Sequence, residues 1–311
     1  VTSAPTSSSS DGHVARLGDV PFWRPYVEEI LARHDLLAAG RSPVAGFNAT
    51  HPTFVCGDVV VKLFGRSSHW RVSHAAERAA LGRVADDATI LAPRLVAEGR
   101  LTDDADEPWP YLVTTRARGV AWRNADLAPE RRRSIAVELG DQVRRIHTLE
   151  PTGVAGSADW SATDVVDAAR RSSLPPHLVA QVARFVERLG PSDDVFVHGD
   201  LVAAHVFIED GRLAGIIDWG DAIATDRHYE LIQPLRDLFD CDKSLLRAFL
   251  DGCGWRVDAE FAHRALGHAL RRQAIGLAQH HSMDVFEPIA ARLPLAEIRT
   301  LEDLASALFA V

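Results

Sequence analysis

Apolar residues recur along this chain with two different periods, and the change from one to the other divides it. Between Phe22 and Leu37 the apolar positions Val27, Ile30, Leu31 and Leu37 lie opposite a charged face, which predicts an amphipathic helix ended by Gly40. Short runs follow. Phe54–Cys56 and Val59–Phe64 flank Gly57-Asp58, a two-residue turn, and read as a hairpin. His69–Val84 returns to helical spacing, with Ala75, Ala76, Ala79, Ala80 and Leu81 as a small-residue face that includes Glu77. Two more strands are predicted at Arg94–Ala97, after Pro93, and Tyr111–Thr115, after Pro110, with Thr102–Glu107 as an acidic loop between them. Together they make a small mixed sheet carrying one helix and ending near Arg118-Gly119.

Beyond that point the pattern is mostly helical. Ile135, Leu139, Val143 and Ile146 form one stripe in Glu130–His147, and Leu178, Val182, Phe185 and Leu189 form another after Pro175-Pro176, with Pro191 past its end. Asp242–Leu250, Ala259–His281 and Thr300–Phe309 also read as helices, the last capped by Thr300. The exception is Val195–Tyr229. There Val206–Ile208 and Leu213–Ile217 flank a turn containing Asp210-Gly211, a strong hairpin signal, and Val195–Val197 leads straight into His198-Gly199-Asp200. The second part is therefore expected to be mainly α with one buried hairpin, without internal repeats. Asp200, His205 and Asp218 fall at the ends of apolar strands or between them, where idle polar groups are seldom packed. The hairpin is expected to present a catalytic aspartate and two metal ligands.

Composition narrows the classes. The 311 residues can bury a sizeable core in two lobes, and 47% hydrophobic with 25% charged residues is ordinary for a globular protein. A net charge of −9 argues against nucleic acid as the main partner, and fits a cationic partner or simply solubility. Three widely spaced cysteines without C-x-x-C point to a reducing, cytoplasmic setting without disulfides or zinc. No apolar run approaches the ~18 residues of a membrane span. The Ser/Thr-rich residues 1–13 lack the marks of a signal peptide and read as a disordered tail.

Two residues upstream are ambiguous alone. Lys62 inside Val59–Phe64 is either an edge-strand lysine that discourages aggregation or a rigidly held cation for a phosphate. Glu77 on its helix is either simply solvated or functional.

Order resolves them. His198-Gly199-Asp200-Leu201, then His205, then Ile217-Asp218-Trp219 closely resemble the catalytic and metal-binding signatures of the aminoglycoside phosphotransferases, which share the protein-kinase fold. His205 follows Asp200 by five positions, as Asn follows Asp in H-R-D-x-x-x-x-N. Val59-Val60-Val61-Lys62 looks like the V-A-I-K strand, Glu77 lies where the kinase helix glutamate should, and Tyr111–Arg116 looks like the hinge between lobes. Within the family the chain most resembles hygromycin B phosphotransferase, through Phe22-Trp23, Val61–Gly65, Trp109–Val113 and Leu250-Asp251-Gly252.

The resemblance implies an α+β, bilobal protein-kinase-like fold: a tail over 1–18, a β-rich nucleotide-binding N-lobe over 19–117, and a larger, mainly helical catalytic and substrate-binding C-lobe over 118–311. It implies transfer of a γ-phosphoryl group from ATP or GTP to a hydroxyl of an aminoglycoside, hygromycin-like by preference. Asp200 would orient the hydroxyl and take its proton, Asp218 would hold Mg²⁺, and Lys62, kept in place by Glu77, would meet the α/β-phosphates. Backbone groups around Thr114–Arg116 would bind the purine edge. His205 stands where the family usually has asparagine, as a retained metal ligand, a residue bonded only to Asp200, or a buried structural histidine. No glycine-rich loop is present; Asn48 and Thr50 in Gly46–Thr50 are either phosphate contacts or part of a plain turn. Asp221, Asp237 and Asp240 are expected to attract the ammonium groups of the acceptor. Asp242 is expected to be a helix end, and Asp226 to brace the catalytic loop. Two alternatives are kinase activity on another small metabolite and a nucleotide-binding pseudokinase.

Overall fold

The computed structural model describes residues 16–37, 41–47, 50–67, 69–104, 108–156, 160–280 and 283–311. The tail up to residue 15, Gly40, Asn48 and residues 105–107 of the acidic loop lie outside the described residues.

Helix α1 (Val20–Arg33) starts where the Asp19 carboxylate accepts the Phe22 amide at 3.1 Å, and it buries Trp23, Val27, Ile30 and Leu31. It stops short of the expected Leu37 because Asp35 takes a left-handed φ of 57°, which leaves Leu37 exposed. Strands β1 (Val44–Ala45), β2 (Thr53–Cys56) and β3 (Val59–Leu63) are followed by helix α2 (Trp70–Val84), β4 (Leu95–Arg100) and β5 (Pro110–Thr115). The sheet order is β1-β2-β3-β5-β4, and every pairing is antiparallel. The expected mixed sheet is corrected here. β3 and β4 run the same way, but β5 lies between them, so no parallel pair forms.

Side chains alternate across a strand, and this settles the role of β3. Phe54, Cys56, Val61, Leu63, Tyr111 and Val113 face α1 and form one apolar core with Trp23 and Trp109. Val60 and Lys62 point the opposite way. Because β3 is paired on both sides, Lys62 opposite Thr53 and Leu112, it is no edge strand. On α2 the buried stripe is Ser73, Ala76, Glu77, Ala80, Leu81 and Val84, so Glu77 faces inward while Ala75 is exposed.

The helical part opens with β6 (Val120–Ala121) and helix α3 (Pro129–Ile146), whose predicted stripe is fully buried. Helix α7 (Lys243–Cys253) crosses α3 so closely that a Cβ on Gly140 would meet the Phe249 carbonyl oxygen at 2.1 Å. Between them come β7 (Ala155–Gly156), α4 (Val165–Arg170), α5 (Pro176–Val179), α6 (Val182–Glu187), β8 (Asp194–Val197), β9 (Val206–Glu209), β10 (Arg212–Ile216) and β11 (Ile223–Asp226). Helices α8 (Phe261–His280), α9 (Glu287–Ala290) and α10 (Leu301–Phe309) close the fold.

Two expectations change. The single helix after Pro176 is two short ones, broken where the Gln181 amide ties this segment to the Arg299 carbonyl and the Leu301 amide, at 3.0 and 3.1 Å. The single hairpin becomes one of two three-stranded sheets, β10-β9-β6, and the second is β7-β11-β8, because the run at Val195–Val197 pairs with β11 rather than with the hairpin. The caps are as expected. Asp242 accepts the Ser244 amide at 2.7 Å, and Thr300 forms a capping box with Asp303. No helix among the described residues is long and apolar enough to cross a membrane.

Candidate active site

β8 delivers the loop that bears Asp200, and its own polar groups together with Glu230 hold it. Gly199 has a φ of +83°, and a Cβ there would meet the Asp221 carbonyl oxygen at 2.2 Å, so only glycine fits this turn. The fully buried His198 accepts the Asp200 amide on Nδ1 at 3.2 Å and donates from Nε2 to the Ile217 carbonyl at 3.0 Å. Burial lowers its pKa, which favours this neutral ring. Glu230 accepts the His198 and Gly199 amides at 2.9 and 3.3 Å. The brace expected of Asp226 therefore falls to Glu230. Asp226 instead bonds His228, Arg264 and the Asp193 amide, joining the end of β11 to α8.

Asp200 projects from this loop. Its Oδ1 accepts the Gln233 side-chain amide and lies 3.6 Å from the buried guanidinium of Arg272, which also reaches to 3.7 Å of Asp221. Its Oδ2 is 3.4 Å from His205 Nδ1, which donates instead to the Asp200 carbonyl at 2.9 Å. From the hairpin end, Asp218, at a left-handed φ of 64°, presents Oδ1 to Lys62 Nζ at 2.8 Å. Lys62 also donates to Glu77 at 2.6 Å. One ammonium from the sheet thus joins α2 to the hairpin. Burial opposes charge on Lys62, but Asp218 and then Glu77 outweigh it and hold the ammonium above the usual lysine range. Burial likewise opposes the Asp218 carboxylate, yet Lys62 and His205 hold its pKa well below the usual range.

His205 stands between the two aspartates. Its Nε2 lies 3.4 Å from Asp218 Oδ2, is buried, and has no hydrogen-bond partner. Burial opposes protonation, but the Asp218 and Asp200 carboxylates outweigh it and raise its pKa above the usual imidazole value. No group of three or more His, Cys, Asp or Glu side chains among the described residues forms a metal cage. Asp218 Oδ2 and His205 Nε2 are instead a two-donor edge. Its carboxylate oxygen suits Mg²⁺, which keeps several waters and is bound through one or two carboxylates plus phosphate oxygens, whereas imidazole suits softer ions.

Two cavities of about 400 Å³ meet at this cluster. The first runs between the lobes and contains Val60, Leu112, Glu77, Thr114 and Arg116. The Thr115 and Arg116 amides are already donated to Arg94 and Asp58, at 2.9 and 2.8 Å, so those two donors are not free for a purine edge. The second cavity contains Thr50, His51, Asp200, His205, Asp221 and Arg236. Lys62, Asp218, Thr53 and Phe47 line both.

The other predicted acidic residues lie elsewhere. Asp237 accepts the Ala203 amide at 2.6 Å, behind the catalytic loop, and Asp240 pairs with Arg292 on the surface. Neither lines the second cavity, because each carboxylate already has a partner facing away from it. Gln233, Glu230, Arg272 and His51 went unread in the sequence. Arg272 left a signal: it falls seven residues after Ala265 and three after Ala269, on the buried stripe of α8, where an arginine needs a reason.

Solved structures share the fold over most of the chain. The GDP and kanamycin complex of APH(2")-IIia covers 91% of this chain and is itself covered to 99%, at 18% identity and a TM-score of 0.63. Aminoglycoside-3'-phosphotransferase of type VIII covers 81% and is covered to 97%, at 23% identity and a TM-score of 0.56. Macrolide 2'-phosphotransferase MphH from Brachybacterium faecium covers 92% and is covered to 98%, at 17% identity and a TM-score of 0.57. At these identities the likeness establishes the fold, α+β and kinase-like as expected. The model of the phosphotransferase enzyme family matches residues 47–285, from the loop bearing Phe47 through α8, well over half of the chain. The chain belongs to the phosphotransferase enzyme family.

Proposed function

We propose that this protein transfers the γ-phosphoryl group of ATP or GTP to a hydroxyl of an aminoglycoside, hygromycin-like by preference, and so confers resistance in the cytoplasm. The observation that carries the reading is the cluster at the meeting of the two cavities: Asp200 on the acceptor side, Asp218 and Lys62 on the donor side, with His205 within 3.4 Å of both carboxylates. The acceptor oxygen forms a bond to the γ-phosphorus as the bond from phosphorus to the β-bridging oxygen breaks. The hydroxyl proton passes to Asp200 Oδ2, and the nucleoside diphosphate leaves. Lys62, fixed by Glu77, meets the α/β-phosphates. Asp218 and His205 would hold Mg²⁺, which when bound neutralises phosphate charge. Residues 19–117 act as the donor-binding lobe and 118–311 as the catalytic one.

The acceptor cavity holds Asp200, Asp218, Asp221 and Asp284 against Lys62 and Arg236, an acidic balance suited to a cationic acceptor. With Asp237 and Asp240 engaged elsewhere and Arg236 present, a less cationic acceptor is the second reading. The fold shared with a macrolide 2'-phosphotransferase favours including macrolides in the test. Protein is incubated with Mg²⁺, each nucleotide, and a panel of aminoglycosides, macrolides and small hydroxylated metabolites, and products are read by mass spectrometry. Addition of one phosphate to an aminoglycoside supports the reading, and addition only to another class moves the assignment there. Nucleotide binding without turnover of any acceptor would sink it.

A further inference from the structure

One buried side chain of the second cavity has no role in the proposed transfer. His51, between β1 and β2, is 4% exposed and lines the cavity that contains Asp200, Lys62 and Asp218. Its ring packs against Phe64, with centroids 4.7 Å apart. Neither Nδ1 nor Nε2 has a hydrogen-bond partner among the described residues, and both are shut off from bulk solvent. Burial, with the Lys62 ammonium nearby, pushes its pKa down to about 3, so the ring is neutral, with one N–H to donate and one lone pair to accept. A buried polar group without a partner costs stability. An apolar ring would pack on Phe64 without that cost.

We propose that His51 is a catalytic residue whose ring N–H donates a hydrogen bond to a non-bridging oxygen of the transferring phosphoryl group. The geometry carries this. A donor phosphate chain reaching Lys62 from the first cavity, and a hydroxyl reaching Asp200 from the second, bring the γ-phosphorus to the shared residues Lys62 and Asp218, and His51 lines the second cavity together with these two and Asp200. Its main chain is tied down there, because its carbonyl accepts the Thr53 hydroxyl at 3.0 Å. No proton is transferred by His51; it adds one more donor where charge develops, beside Lys62. The inference rests on the phosphoryl-transfer reading above.

His51→Phe keeps the ring and its packing on Phe64 and removes both nitrogens. It is expected to hold or raise the melting temperature while lowering kcat on the order of 10²-fold, with a much smaller change in nucleotide KM. His51→Gln, which restores an N–H donor, is expected to recover part of the loss. A purely structural histidine predicts the reverse, a change in melting temperature with kcat kept, and full kcat in His51→Phe overturns the proposal. The second measurement needs no acceptor. The ring-nitrogen NMR signals of His51, assigned by their loss in His51→Phe, should move when a Mg²⁺-nucleotide with a non-hydrolysable β,γ bridge is added. Signals that stay put overturn the proposal even if every acceptor in the panel fails, whereas failure of the panel alone counts against the aminoglycoside assignment.

Discussion

Two carboxylate clusters lie close along this chain, a fully buried pair, Asp226 and Glu230, and a half-buried pair, Asp200 and Asp218, and they are built differently. In the bracing cluster both oxygens of each acid are bonded. Asp226 meets His228 on Oδ1, and Arg264 and the Asp193 amide on Oδ2, while Glu230 takes the His198 amide on one oxygen and the Gly199 amide on the other. In the active cluster each acid is half bonded. Asp200 is held through Oδ1 by Gln233 and Asp218 through Oδ1 by Lys62, and among the described residues the Oδ2 of each faces only a His205 nitrogen, at 3.4 Å. A saturated carboxylate fixes a backbone, whereas a half-bonded one is oriented and keeps a lone pair for a proton or a metal. The type of residue is the same in both places; the number of bonds it has left differs.

The strongest way to break this contrast is Asp200→Asn, which preserves Oδ1 and disables the open oxygen. Phosphoryl transfer is expected to fall about 10²–10⁴-fold, with the melting temperature within error of the parent. Equal losses in both would place Asp200 with the bracing acids. Asp226→Asn tests the other cluster. Removing one charge from a buried, multiply bonded group is expected to cost about 3–5 kcal/mol in urea unfolding. That gap should depend on pH. Burial opposes the Asp226 charge, but the His228 hydrogen bonds and the neighbouring imidazoles hold its pKa below the unfolded value. Its contribution is then fully present above about pH 4 and is lost as pH falls through the folded pKa. The difference between parent and Asp226→Asn is therefore level from pH 8 to 5 and closes below about pH 4; a gap that instead closes toward pH 8 would refute the assignment.

Glu230→Gln sharpens the comparison, since it turns one acceptor into a donor opposite a backbone N–H. A stability loss of about 1–3 kcal/mol is expected, with kcat reduced through misplacement of Asp200 and nucleotide affinity unchanged by calorimetry. The smallest effect belongs to Asp240→Asn. Its exposed pair with Arg292 is worth about 0–1 kcal/mol, and acceptor KM should stay where it is. A clear rise in KM would return Asp240 to the acceptor site.

Local regularities carried a large part of the fold. The Gly57-Asp58 and Asp210-Gly211 turns, the stripe of α3 and the caps at Asp242 and Thr300 depend on neighbours within a few residues, and each formed where its pattern stood. The order Lys62, Glu77, Asp200, His205, Asp218 was equally legible, because spacing along the chain reflects spacing between elements that fold locally. What the pattern could not contain was partnership across the chain. Whether Lys62 lay on an edge or a central strand depended on β5, which follows some fifty positions later, and β8 found β11 instead of the hairpin beside it. Which acid braces the loop, and which two acids keep an oxygen open, depended on Gln233, Arg264 and Arg292 arriving from other elements. An aspartate in sequence is only a carboxylate. The hydrogen bonds it has already made, which tertiary packing alone assigns, decide whether it supports the site or acts in it.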